Sequence, residues 1–424
     1  MFEKYDAYKD SGVEWIGDIP VHWDVKNLRY AFDFLNHRRI PLSALERGNK
    51  QGRYPYYGAS GIIDYVDAYL FDEKLLLIAE DGANLLSKST PLAFLAEGKY
   101  WVNNHAHILK PKTEAYGFWE KLLCSVDYTV FITGAAQPKL SRENLGGIRL
   151  PIPPINEQLK IEKFIDQKTS EIDQAIAIKE QQIALLNERK QIVIQKAVTQ
   201  GLDPNVAMKD SGVEWIGEIP EHWKIKKLKF ICKSQGRIGF KGYSSDDLVE
   251  ANEGALTLGA THLNWNGEII LDQPVYLNWK KYYESPEIMV KKDDILIVQR
   301  GSTCGKVAIV DKDYGEVTIN PSLVLLKEFR ENPYFCVESI KVVLNGILNE
   351  VSKTAIPMIS QFQINNIQIA LPPLEEQVFI VKKVQEVTAQ YSEINKFILD
   401  EIIRLKEYKT TLINDAVTGK IKVA

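Results

Sequence analysis

No stretch of this chain stays apolar for the roughly 18 residues that a membrane-spanning helix needs. The amino terminus, MFEKYDAYKD, is charged and holds no apolar run, so no secretory signal is expected there. Cysteine is scarce. Cys124, Cys232, Cys304 and Cys336 lie far apart with no CxxC spacing, which argues against a disulfide framework and against a thiolate metal site. Reduced, buried thiols suit a cytoplasmic protein. An excess of positive charge is missing as well. The formal net charge of −4 means that a nucleic-acid footprint must be local, or be completed by another subunit.

Proline and glycine are missing from two particular runs. After PIPPINEQ (Pro151 to Gln158) neither occurs until past Thr199, and after ALPPLEEQ (Ala370 to Gln377) neither occurs until past Thr418. Pro154 stands where a first-turn proline belongs, and Glu157 suits the positive end of the helix dipole. Ile165, Ile172, Lys179, Leu186 and Val193 recur every seven residues, interleaved with Thr169, Ile176, Ile183, Lys190 and Ala197. The second run repeats the pattern with Val384, Tyr391, Ile398, Leu405 and Leu412, interleaved with Thr388, Asn395, Ile402, Lys409 and Ala416. Such heptads predict two long helices with apolar seams, each about 68 Å long at 1.5 Å per residue. The lysines at seam positions mark places where the helices separate or meet a partner, or else side chains snorkelling at an imperfect seam.

What is present, above all, is a repeat. KDSGVEWIG occupies Lys9 to Gly17 and again Lys209 to Gly217, each copy followed by an acid, Ile-Pro, one variable residue and His-Trp. A period of 200 residues is too long for a solenoid and marks a duplicated half-molecule. Trp15, Ile16 and Trp23, with Trp215, Ile216 and Trp223, are read as packing rather than as a binding epitope, and His22 and His222 as packed or capping residues.

Between motif and helix, each half is rich in turns and short apolar runs. LLLIAEDG (Leu75 to Gly82) reads as a buried strand, VNNHAHIL (Val102 to Leu109) as a second, and YPYYGASGIIDYV (Tyr54 to Val66) as loop and hairpin. DDILIVQRG (Asp293 to Gly301) and INPSLVLLK (Ile319 to Lys327) take the corresponding places in the second half. From Pro138/Pro357 to Thr199/Thr418 the halves align at an offset of 219 without a gap, whereas the globules before that point match poorly. The expected fold is α+β: two mixed α/β domains separated by two long antiparallel coiled-coil helices in pseudo-two-fold duplicated halves. Its expected segments are 1–150, a first helix region 151–208, 209–369 and a second helix region 370–424. Two unlike heads held at a fixed separation suit an extended ligand with two unlike sites, and duplex DNA is the obvious candidate.

KDSGVEWIGEIPEHW before a variable globule, PPxxEQ opening a long helix and AVTG/AVTQG closing it resemble the specificity subunit of Type I restriction–modification enzymes over nearly the whole chain. The resemblance implies a non-catalytic reader of bipartite double-stranded DNA. In that family the globules are target recognition domains, and the helices act as a ruler and dock two methyltransferase subunits. Catalysis, with S-adenosylmethionine, ATP and Mg, would belong to those subunits and to the motor-nuclease subunits, leaving this chain without cofactor or metal. A cytoplasmic scaffold whose heads bind proteins is the rival of another class.

Candidate DNA-contacting residues follow from residue type. Arg38, Arg39 and Arg53 stand among Tyr56, Tyr57 and Ser60 near flexible glycines; Arg grips phosphate or guanine. Asn103, Asn104 and His105 could offer amides and imidazole to base edges, and if strand alternation holds only one parity points outward. Arg237, Lys241 and Tyr243 lie in the Gly-rich GRIGFKGY, either a backbone clamp or a surface loop. RGSTCGK is one residue too short between its glycines for a nucleotide loop and has Val307 where Ser or Thr should follow. Its Arg300, Ser302, Thr303 and Lys306 suit a phosphate or guanine edge, or belong to an ordinary hairpin turn. NPYF (Asn332 to Phe335) lacks the second proline of an amino-methyltransferase motif.

Overall fold

The computed structural model describes residues 2–87, 89–134, 137–237, 242–351 and 358–423. It divides into two compact units. The first combines Met1–Gln181 with Ile398–Ala424, and the second is Gln182–Phe397. Each unit therefore holds one copy of the repeated motif, one globule, and parts of both long helices.

In the first unit the globule carries two four-stranded sheets. Its strands are β1 (Phe32–Phe34), β2 (Gln51–Gly58), β3 (Gly61–Val66), β4 (Phe71–Asp72), β5 (Leu75–Ala79), β6 (Ala93–Ala96), β7 (Lys99–Val102) and β8 (Ala106–Pro111). One sheet has the order β3-β2-β7-β4 and the other β1-β8-β5-β6. The apolar run at Leu75 forms β5, buried along its whole length. Alternation sends Leu76 and Ile78 into a core with Trp23 and Trp119, and Leu75 and Leu77 into another with Phe71 and Tyr100. A strand with apolar groups on both faces reads as a continuous run, which is why it was visible in the sequence.

The stretch at Val102 is not one strand. It is the end of β7, a turn through Asn103–His105, and the start of β8. Asn103 closes that turn by accepting the His105 backbone N–H at 2.8 Å, an Asx turn that competes with the ladder. The parity rule applied to Asn103 and His105 therefore has no strand to act on.

The second unit repeats this plan with β9 (Lys233–Gly236), β10 (Leu248–Val249), β11 (Gly254–Leu258), β12 (Tyr276–Asn278), β13 (Ile295–Val298), β14 (Val307–Ile309), β15 (Val317–Ile319) and β16 (Leu323–Lys327). The order β9-β16-β13-β14 matches β1-β8-β5-β6 strand for strand. The triplet β12-β11-β15 matches β3-β2-β7, including its single parallel pair. Only the edge differs: β4 extends the first sheet beyond β7, and β10 extends the second beyond β12. Ile295 and Ile297 enter a core with Trp223 and Phe335, while Leu296 and Val298 face Leu256 and Val317. Two poorly matched sequences thus build one topology.

The long helices are α1 (Ile155–Gln200) and α2 (Leu374–Val417). Within the first unit they run antiparallel: Lys409 Nζ reaches Asp173 at 2.7 Å, and Lys179 Nζ reaches Glu401 at 2.6 Å. Two of the three seam lysines, Lys179 and Lys409, thus bond to an acid on the opposite helix, so neither of these marks a separation of the pair. Within the second unit Asn395 Nδ2 donates to Asn187 Oδ1 at 2.9 Å, and Ile194, Ala197 and Val198 share a core with Ile380 and Val384. The expected seam holds except at Thr388, which is exposed while Val387 beside it is buried.

Candidate nucleic-acid interface

Both copies of the repeated motif are joints. Between its short antiparallel strands Tyr8–Asp10 and Asp18–Pro20, the first copy makes a tight turn in which Gly17 N–H donates to Val13 at 2.9 Å. Trp23 is fully buried, and its Nε1 donates to Glu157 at 3.1 Å, beside a 2.9 Å contact from His22 Nε2 to the same carboxylate. Tyr5 donates its hydroxyl to Glu157 as well, and burial raises that hydroxyl well above its ordinary pKa. The second copy repeats the set with Trp223, His222 and Glu376 at 3.2 and 2.8 Å. The neighbouring glutamines lock the same corner: Gln158 Nε2 donates to Pro153 O and Gln377 Nε2 to Pro372 O. The EQ of PPxxEQ is therefore a clasp between the motif, the helix start and the globule. His22 and His222 are held as parts of that clasp.

In the first globule the candidate residues separate into core and surface. Tyr56 is fully buried, and its hydroxyl accepts from Leu42 N–H at 2.9 Å. Tyr57 is half-buried between Phe94 and Tyr100. Arg39 is turned inward, donating to Glu80 at 2.6 Å and to the carbonyls of Ala106 and Asn104. Burial alone would raise the Glu80 carboxyl, but the Arg39 bond and the charges of His107, Arg39 and Lys139 together outweigh it and hold the group below the usual carboxylate range. Asn103 is buried in its turn. These four side chains are engaged wholly or partly inside the folded domain, since residue type does not fix facing. Arg38, Arg53, Ser60, Asn104 and His105 stay at the surface. Arg38 lies over the Phe71 ring and bonds to Glu73, while His105 Nδ1 is 2.9 Å from both oxygens of Asp81.

In the second globule Arg237 is also inward, donating to Ile319 O at 3.0 Å and to Thr318 Oγ1 at 3.1 Å, with Tyr243 against its guanidinium. Lys241 lies outside the described residues. Arg300 and Ser302 are exposed, and Thr303 is half-buried. Lys306 spends one donor on Leu263 O at 2.7 Å and sits 5.8 Å from the Trp265 ring centroid. Among the described residues no group of three or more His, Cys, Asp or Glu is placed to hold a metal ion.

The family model for the Type I restriction modification DNA specificity domain matches residues 20–188 and again 220–404. The chain belongs to that family. The two matches begin at Pro20 and Pro220, the same point of each repeat, so the chain carries two specificity domains, and its role is DNA target recognition. Specificity subunits do no catalysis themselves; they bind DNA and assemble with other subunits of their systems. The chain is 26% identical over 424 residues to the MjaVIII specificity subunit of Methanocaldococcus jannaschii, spanning 96% of this chain and 94% of that one. Its fold is similar to a chain in a structure of a type I restriction–modification system assembly (TM-score 0.64, 15% identity, 94% of this chain and 98% of the other). It is also similar to the HsdS subunit of Thermoanaerobacter tengcongensis (TM-score 0.50, 14% identity, 95% and 98%).

Two surface residues of this specificity chain escape a search by residue type alone. Trp265 is 62% exposed, in the hairpin between Leu263 and Ile269 where Gly267 takes φ +86°. The Asn266-Gly267 pair is the signal that could have placed it at a turn. Asp81 partners His105 across a turn 24 residues away, and nothing local in the sequence marks it.

Proposed function

We propose that this chain is the DNA-reading subunit of a Type I restriction–modification complex, each globule reading one half of a bipartite duplex target. The long helices would set the gap between half-sites and, with the motif clasps, dock two methyltransferase subunits. Adenine methylation, ATP-driven restriction and their cofactors, S-adenosylmethionine, ATP and Mg, would lie on those and on motor-nuclease subunits. One observation carries this reading: two globules share a sheet topology and a framework of joints, while the loops hung on that framework differ. A device that reads two unlike half-sites needs that combination. The net charge of −4 fits a reader whose phosphate contacts are largely supplied by partners.

The deciding measurement is a genome-wide map of methylated adenines in cells with and without the chain. A split motif with a fixed gap, present only when the chain is present, is the expected result. Sites that do not change would remove the DNA-reading role and favour a scaffold. Binding of the chain and its methyltransferase to the recovered duplex should be sequence-selective and weaken steeply with salt.

A further inference from the structure

The two globules place chemically opposite groups at one position of their common framework. In the first, β5 continues into Glu80, Asp81 and Gly82; in the second, β13 continues into Gln299, Arg300 and Gly301. Backbone pairing fixes the equivalence. Asp81 bridges to Lys139 and Arg300 to Met358, both antiparallel. Leu140 N–H donates to Glu80 O and Ile359 N–H to Gln299 O, each at 2.8 Å. Gly82 and Gly301 share the left-handed conformation, at φ +100° and +99°. In both units the preceding side chain is consumed internally, Glu80 by Arg39 and Gln299 by Pro321 O at 2.8 Å. The next residue is half-buried in the first globule, Asp81, and exposed in the second, Arg300.

From that point the loops diverge. The first forms a short helix, Asn84–Ser87, pinned by Asn84 to the backbone of Thr90. The second is a tight turn that returns through Lys306. Their hydrogen-bonding capacity is opposite too. A carboxylate only accepts, so Asp81 pairs with an Nδ1–H of His105, and in the neutral ring that tautomer leaves Nε2 as an acceptor. His105 is 50% exposed, so the pair remains accessible. Arg300 offers donors alone. In the major groove guanine presents two acceptors, whereas cytosine and adenine present an exocyclic amino donor.

We propose that this position determines specificity in both globules: Arg300 selects a guanine in one half-site, and the His105–Asp81 pair selects an amino-bearing base, cytosine or adenine, in the other. The assignment rests on the DNA-reading role proposed above. It is tested by mapping methylated sites in cells carrying the full chain and its methyltransferase, as wild type, Arg300→Gln, Arg300→Lys and His105→Ala. Both Arg300 variants should lose a guanine preference at one base pair of one half-site, discrimination there falling about tenfold or more. His105→Ala should relax one position in the other half-site only. An unchanged motif, a uniform drop across all sites, or a change in both half-sites overturns the assignment for either residue. If thermal melting shows that Arg300→Gln does not fold, Arg300→Lys decides, since it keeps the charge and loses the planar fork. A wild-type chain that gives no split motif would instead sink the DNA-reading role itself.

Discussion

Gly419 sits at φ +74° against the first motif, where an added Cβ would come within 2.5 Å of Pro20 Cδ and 3.1 Å of the Trp23 ring. Gly201 has the same backbone, φ +79°, against Trp223, but its nearest neighbour would lie at 3.3 Å. Gly419→Ala should therefore cost about 1–3 kcal/mol from backbone strain alone, with the clash added. Gly201→Ala should cost less, and comparing the two melting temperatures checks the order. Burial holds the His107 imidazole below its ordinary pKa; Asn36 donates to its Nδ1 at 2.8 Å, and Nε2 donates to Leu140 O at 2.8 Å. A depressed histidine means that the unfolded chain takes up the proton first as pH falls. Its contribution is whole above the ordinary histidine range and is lost as pH drops through it. The urea midpoint should fall between about pH 8 and about pH 5.5, and His107→Gln, less stable at the outset, should show a smaller fall. Residue types were legible at this scale, but facing was not. Arg39 and Arg237 read as surface cations, and both are inward because buried carbonyls at turns and strand ends needed donors.

Among the elements, the helices were the most legible, because an unbroken heptad over some forty residues has few alternative folds. The strand at Leu75 was nearly as clear. The break at Asn103–His105 was hidden because an Asx turn depends on one side-chain bond rather than on periodicity. Within the helix pair the Asn187–Asn395 contact is a polar step in an apolar seam, and Asn395 Oδ1 is buried without a partner. Replacing both asparagines by leucine should raise the melting temperature, since a half-satisfied buried pair gives way to apolar packing. A lower melting temperature would show that the pair is a net stabiliser. If the helices act as the ruler, deleting a matched heptad from both should shorten the gap in the methylated motif and leave its bases alone. Altered bases with an unchanged gap would reverse that assignment.

For the molecule as a whole, the repeat pointed to duplication but not to how deep it runs. The globules match so poorly in sequence that only backbone pairing reveals their common strand order. That is physically reasonable, since a sheet constrains which positions are apolar and leaves the loops free to vary. The clasps, by contrast, demand particular atoms: an indole N–H, a carboxylate, a glutamine amide and a left-handed glycine. They are accordingly what both halves spell alike.

The first unit joins residues from both parts of the chain: Lys422 N–H donates to Glu3 O at 2.7 Å, and Ala416 and Val417 lie in the core of Trp23. The second unit is continuous, Gln182–Phe397. Synthesis therefore meets the two in an inverted order. The globule that leaves the ribosome first waits, with part of its core uncovered, until residues 398–424 arrive, while the later one has everything it needs as soon as Phe397 is free. Nascent chains arrested just after Phe397 clears the ribosome should protect Trp223 from proteolysis before Trp23.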